Sequence, residues 1–283
     1  MMEDSESNYI LSSDGLKLYY IISKPENPKA VVCILHGHGE HIGRYEHVID
    51  YLSEKGIASV GFDFRGHGKS EGRRGHMPSM DLMLDDIEES LKFTRLNFLD
   101  IPMFLFGHSF GGCVTLNYVL KKPVTELTGF VASSPWLALA FEPPKWKVKM
   151  GELMASIFPR FSLASELDPA HLSKDKQVAK DYISDPLVHN KISARFFDEA
   201  VKAGNYVQEN AANTKLSGLA YHGDSDQIIS FSATKAAVEK SERIEFHSLG
   251  GVFHEPHNDL EKQKVLSLLD SWISKKSNQV NSL

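Results

Sequence analysis

Along this chain, short uninterrupted apolar runs alternate with longer stretches in which apolar residues recur every three or four positions. Ala30-Val31-Val32-Cys33-Ile34-Leu35 is apolar throughout, the pattern of a strand buried on both faces. Ala58 to Phe64, Met103-Phe104-Leu105-Phe106, Phe130-Val131-Ala132, Gly218-Leu219-Ala220-Tyr221 and Ile244-Glu245-Phe246-His247 read as further strands. Helical spacing lies between them. Tyr45 to Lys55 puts Val48, Ile49 and Leu52 on one face, and Leu82 to Leu96 does the same with Leu84, Ile87 and Leu91. Gly112 to Leu120 and Leu260 to Ile273 are two more helices. Leu16 to Ile22, after the turn signal Ser13-Asp14-Gly15, predicts a strand of an opening hairpin, and Ser277 onward reads as a polar tail that frays. Alternating strands and helices predict an α/β fold with a mostly parallel, doubly wound sheet. Loops after the strand C-termini then gather at one edge, where such folds bind ligands.

The pattern breaks between Trp136 and Ala211, where no strand-like run occurs. Trp146, Met150, Leu153, Met154, Ile157 and Phe158 fall on one face of a helix. The expected organisation is therefore a core of residues 1–135 and 212–283, with residues 136–211 as a helical cap inserted after a sheet strand. The bland expectation for the apolar face of that helix is packing on the core. The functional one is lining an acyl tunnel or touching lipid, and Lys145, Lys147 and Lys149 beside Trp146 suit an interfacial helix.

Composition narrows the function classes. Of 283 residues, 42% are apolar, enough for one large core, and the net charge is −6. With no basic block to neutralise phosphates, nucleic acid is not an expected partner. The stretch Met1 to Asn8 is acidic and polar, unlike a secretory signal, and no run approaches the ~18 apolar residues of a membrane span. Cys33 and Cys113 sit among apolar residues and read as buried thiols. Together these features predict a cytoplasmic protein, with membrane contact only at its periphery.

Gly107-His108-Ser109-Phe110-Gly111 carries the chemistry. The Gly-x-Ser-x-Gly pattern lies between a strand and a helix, as a nucleophile elbow requires. A serine hydroxyl needs a base within reach and a carboxylate to orient that base. In chain order Ser, Asp, His, two loops supply them: His222-Gly223-Asp224-Ser225-Asp226 and Gly250-Gly251-Val252-Phe253-His254. Asp226 is assigned as orienter, with Asp224 the alternative and an Asx turn its bland role. His254 is assigned as base, with His257 and His247 as alternatives. An oxyanion hole needs two backbone N–H groups, and these are expected from Phe110 and from His38 in the loop His36-Gly37-His38-Gly39. His36, His38, His41 and His47 straddle a glycine turn, so neither a metal nor a cofactor is expected. Asp63 and Arg65 are expected to brace a loop, and Glu40 and Arg44, four residues apart, to pair and hold the oxyanion loop.

Three stretches extend the pattern: His36-Gly37-His38-Gly39-Glu40-His41-x-Gly43-Arg44-Tyr45, Asp63-x-Arg65-Gly66-His67-Gly68-x-Ser70-x-Gly72 and Gly107-His108-Ser109-x-Gly111-Gly112. With Ser184-Asp185-Pro186-Leu187, His222-Gly223-x-x-Asp226 and Gly250-Gly251-x-x-His254-Glu255, they resemble the monoacylglycerol lipase and lysophospholipase-like branch of the α/β-hydrolases, from about Gly15 to Ile273. The resemblance implies an α/β-hydrolase fold and a cofactor-free serine hydrolase that cuts carboxylic esters of monoacylated glycerol or related lipids. It carries the triad roles onto Ser109, Asp226 and His254, and the oxyanion donors onto His38 and Phe110. It also places Tyr182 near the leaving alcohol. The chain departs from the family at His38, where a small or apolar residue is usual. An imidazole there could narrow the pocket or bond the leaving group. The rival readings are an aminopeptidase or amidase, an acyltransferase, and a non-catalytic binding module on the same fold. A dehalogenase or epoxide hydrolase would need Asp at position 109.

Overall fold

Every residue of β3 (Ala30–Leu35), β4 (Ile57–Phe62) and β5 (Met103–His108) is buried, because the strands are covered on both sides. The computed structural model describes residues 8–141 and 145–280. Along β3 the side chains divide by parity. Val31, Cys33 and Leu35 join one apolar layer, which includes Leu84, Ile87 and Leu91 of α2 (Met80–Asn97) and Val114 of α3 (Phe110–Lys121). Ala30, Val32 and Ile34 join the other, with Val48, Ile49 and Leu52 of α1 (Glu46–Glu54) and Leu269, Trp272 and Ile273 of α8 (Lys262–Val280). A period of two in a doubly covered strand thus builds both cores at once.

The remaining sheet strands are β1 (Tyr9–Leu11), β2 (Lys17–Ser23), β6 (Gly129–Ser133), β9 (Gly218–Gly223) and β10 (Ile244–Leu249). The order is β1-β2-β4-β3-β5-β6-β9-β10, parallel from β4 to β10, with β1 and β2 antiparallel at one edge. From β3 the chain runs first to β4 on one side and then to β5 on the other. The order therefore reverses at the carboxyl ends of β3 and β5, which is where the loop of His36 to Gly39 and Ser109 lie.

Between β6 and β9 the chain leaves the sheet. It forms α4 (Lys145–Ile157), β7 (Ser162–Ala164), α5 (Lys176–Ser184), β8 (Lys191–Ser193) and α6 (Ala194–Asn210). The expectation of no strand in this stretch is corrected, since β7 and β8 pair as an antiparallel ribbon. Three residues are too few to display an alternating pattern, so the sequence hides them. The tail is corrected as well. Helix α8 continues past Ser277, whose buried hydroxyl donates to the Ile273 carbonyl at 2.8 Å. A third correction concerns α4. Met150, Leu153, Ile157 and Phe158 are 54–59% exposed, so their shared face points outward, while Ala155 is buried. The side chains of Lys145, Trp146 and Lys147, part of the same expectation, lie outside the described residues. The chain also adds α7 (Phe231–Val238) between β9 and β10, which periodicity did not single out.

Candidate active site

Ser109 occupies the turn between β5 and α3 at φ +53°, ψ −116°, a strained backbone for a residue with a side chain. Its flanking glycines make that turn fit. A Cβ on Gly107 would lie 2.1 Å from the Gly111 carbonyl oxygen, and one on Gly111 would lie 2.5 Å from the carbonyl oxygens of Leu35 and His36. No side chain could enter either gap.

His254 follows the turn after β10, Asp226 the turn after β9. The structure brings both to Ser109. The Ser109 hydroxyl donates to His254 Nε2 at 3.0 Å, and His254 Nδ1 donates to Asp226 Oδ2 at 2.7 Å. Asp226 receives three further donors: His222 Nε2 at 2.9 Å on Oδ2, and the Ile228 and Ile229 amides at 2.8 and 3.0 Å on Oδ1. Burial would raise the Asp226 carboxyl, but the His254 charge and the His222 hydrogen bond hold it well below the usual range. Burial would lower His254, but the Asp226 carboxylate prevails and raises it. The result is an ionised carboxylate, a basic imidazole and a serine oxygen in line.

The alternatives have other partners. Asp224 is exposed and accepts from the Gly251 amide at 2.6 Å, shaping its turn. His247 bonds Glu245 at the sheet edge, at 2.8 Å. The His257 ring is buried and stacked on Tyr45 at 4.7 Å. His222 was visible only as the start of a strand-end pattern, and its contact with Asp226 follows from two side chains four residues apart folding back over one turn.

The loop after β3 lies against Ser109, since a Cβ on Gly37 would stand 3.2 Å from the Ser109 Cβ. Its shape is set by Glu40, whose Oε1 accepts from the Gly37 amide at 2.6 Å and from the Tyr45 hydroxyl at 2.9 Å. Arg44 bonds Glu40 Oε2 and grips both oxygens of Glu255, at 2.8 and 2.7 Å. The Glu40–Arg44 pair anticipated from spacing thus extends to Glu255, the residue after His254. One guanidinium ties the oxyanion loop to the histidine loop. Burial raises the Glu40 carboxyl despite Arg44, whereas Arg44 outweighs burial at Glu255 and lowers it to about 2. Phe110 opens α3, so its N–H has no carbonyl one turn earlier within the helix. Tyr182, buried on α5, stacks its ring 4.9 Å from the Arg44 guanidinium. Asp63 accepts from the Ile42 and Lys69 amides, both at 2.7 Å, and Arg65 joins Asp14 and Asp86, so both residues brace loops.

Donor atoms of Glu40, His108 and Glu255 lie within 4.8 Å of one another, a spacing that could suit a metal ion. Arg44 already engages both carboxylates, so the position is filled by a cation of the chain itself. His36 is likewise satisfied: its Nδ1 donates to the Gly37 carbonyl and its Nε2 accepts from the Phe64 amide.

With this geometry in place, comparison with known proteins is informative. A family model described as serine aminopeptidase, S33, matches residues 26–261. An uncharacterised abhydrolase-domain protein of Dictyostelium discoideum is 34% identical over 97% of this chain, which spans only 29% of that protein's length. A monoacylglycerol lipase of Mycolicibacterium smegmatis is 28% identical over 92% of this chain and 93% of its own. The crystal structure of Paleococcus ferrophilus monoacylglycerol lipase superposes with a TM-score of 0.83 at 31% identity, covering 92% of this chain and 99% of that one. A serine poised against an imidazole on an α/β sheet, and a family match across most of the sequence, lead to one conclusion: the chain belongs to the α/β-hydrolase family of that model and is a serine hydrolase of carboxylic esters.

Proposed function

We propose that this protein hydrolyses esters of monoacylated glycerol or related lysolipids through an acyl-enzyme. The observation that carries the reading is the relay from Ser109 through His254 to Asp226, at 3.0 and 2.7 Å. His254 takes the Ser109 proton as the oxygen attacks the acyl carbonyl. The oxyanion rests on the His38 and Phe110 amides. His254 then protonates the leaving alcohol, and water repeats the cycle. Residues 136–211 act as a cap, with Tyr182 beside the departing alcohol.

An aminopeptidase of the same fold would need a free carboxylate for the substrate's ammonium. Glu40 and Glu255, the buried carboxylates on the alcohol side, are engaged by Arg44, which favours the ester reading. Replacing Ser109 with Ala should remove nearly all turnover of a p-nitrophenyl acyl ester and of a monoacylglycerol. Wild-type rates in that variant would overturn the assignment.

The outward face of α4, continued by Phe161 at 48% and Leu163 at 63% exposure, supports transient contact of the cap with a lipid surface. Among the described residues no helix is long and apolar enough to cross a membrane. Flotation with phosphatidylcholine vesicles should carry the wild type upward and leave Ile157→Glu/Phe158→Glu behind. Equal flotation of the two would dismiss the contact.

A further inference from the structure

Four rings gather beside Ser109, whose carbonyl accepts from the Trp136 amide at 2.9 Å. Phe110 and Phe196 are 4.6 Å apart, His38 is 4.5 Å from Phe196, and Trp136 lies 6.3 Å from both His38 and Phe110. The leaving oxygen must face His254 Nε2 to be protonated, so the acyl group is directed away from that ring, and these four rings offer it an apolar surface.

Behind His38 are two more imidazoles, His67 and His189. Ring centroids are 5.4 Å apart for His38 and His67, 4.7 Å for His67 and His189, and 5.7 Å for His38 and His189. In two of these rings one nitrogen is committed to a backbone carbonyl. His67 Nδ1 donates to the Arg65 carbonyl and His189 Nε2 to the Gly66 carbonyl, both at 3.1 Å. A neutral imidazole with one N–H so placed has a bare acceptor at the other nitrogen. Those acceptors are His67 Nε2 and His189 Nδ1, and both, with His38 Nε2 beside them, are buried without a partner. Burial holds all three rings below their ordinary basicity, His38 down to about 3. The cluster therefore offers the lone pairs of His67 and His189, and its complement is a hydrogen-bond donor.

A metal ion is the first occupant to weigh. The one set of three potential ligand atoms within 4.8 Å of one another among the described residues is Glu40, His108 and Glu255, so the imidazole nitrogens stand too far apart to share an ion. Hydrogen bonds of about 2.8 Å span wider gaps than metal–nitrogen bonds of about 2 Å. A hydroxyl joined to one bridging water leaves two donor hydrogens, one each for His67 Nε2 and His189 Nδ1.

We propose that His38, His67 and His189 end the acyl subsite and select acyl groups that carry a hydroxyl. The proposal rests on the ester-hydrolase reading and narrows its substrate class. A plain alkyl chain leaves these buried acceptors unpaired, and sites built around a hydroxyl discriminate against analogues that lack it. His38 and His67 belong to core loops, whereas His189 comes from the stretch between β6 and β9 and donates its amide to the Gly39 carbonyl at 2.8 Å. The subsite is complete only with that stretch seated on the core.

The test compares kcat/KM for p-nitrophenyl octanoate with its monohydroxylated forms, the hydroxyl moved along successive carbons. In the wild type, at least one position should be preferred by about 10-fold or more, the worth of one well-made hydrogen bond. The ratio should fall to about one in His189→Phe, as expected for loss of one hydrogen-bonding partner. His67→Phe, measured the same way, is the second variant should the first not fold. Equal rates at every position in the wild type, or a preference that survives both substitutions, would overturn the proposal while leaving ester hydrolysis standing. No turnover of either ester by the wild type would remove both readings.

Discussion

On one side of Ser109, Arg44 is saturated: it holds Glu40 and both oxygens of Glu255, and Tyr182 covers it. On the other side, His38, His67 and His189 each keep a nitrogen with no partner. Both clusters are polar and both lie beneath the same stretch of chain. The difference between them is charge. An unpaired charge in a protein interior is costly enough that it must be matched permanently, and the match becomes scaffold. An unpaired neutral acceptor costs far less, so it can be left open for a ligand to fill. One cluster thus fixes the loops that bear the reacting groups, and the other is free to recognise.

The largest break of this contrast is Arg44→Met. It leaves two carboxylates buried without their cation and should lower stability by about 3–5 kcal/mol, read from urea midpoints. An unchanged midpoint would mean that the charged cluster is no more essential than the neutral one. Acid acts on the other side. His36 and His38 are held near 3 by burial, against an ordinary 6.5. Between those values the unfolded chain binds protons that the folded chain refuses, so stability falls as pH falls. These two rings alone should remove about 3 kcal/mol per pH unit below about 6.5. Urea midpoints at pH 6.5, 6 and 5.5 check the slope, and a flat series would show that the rings accept protons without unfolding. The smallest effect concerns His254, raised above 6.5 mainly by Asp226 against the pull of burial. It must be neutral to take the serine proton, so kcat/KM should begin to decline on the acid side at a pH above 6.5. His189→Phe should leave that limb in place, whereas an acid limb below 6.5 in the wild type would contradict the pairing with Asp226.

What the sequence made legible follows from how locally each feature is encoded. Strands β3 to β6 are read directly, because burial on both faces leaves at most one polar residue in each, Ser59, His108 and Ser133. Ser109, Asp226 and His254 are legible because each sits in a turn with its own glycine signature just past a strand. The Arg44–Glu255 contact joins residues 211 positions apart, and no local pattern encodes it. The three-imidazole cluster combines two core loops with a distant stretch, and was equally invisible. Helix α4 misled in another way: its apolar stripe fits the rule for a packed face, and only tertiary structure shows that it points outward.

Strand β6 pairs directly with β9, Phe130 opposite Gly218 and Ser133 opposite Tyr221. Because the two strands are parallel, the excursion leaves at the carboxyl end of β6 and must cross back to the amino end of β9. A replacement must still make that crossing, which α6 makes here with Phe196, Ala200 and Val207 in the core, but the part before α6 can change in length without breaking a rung or moving a residue of the relay. Selectivity and bond-breaking can then diverge at separate evolutionary rates within one gene.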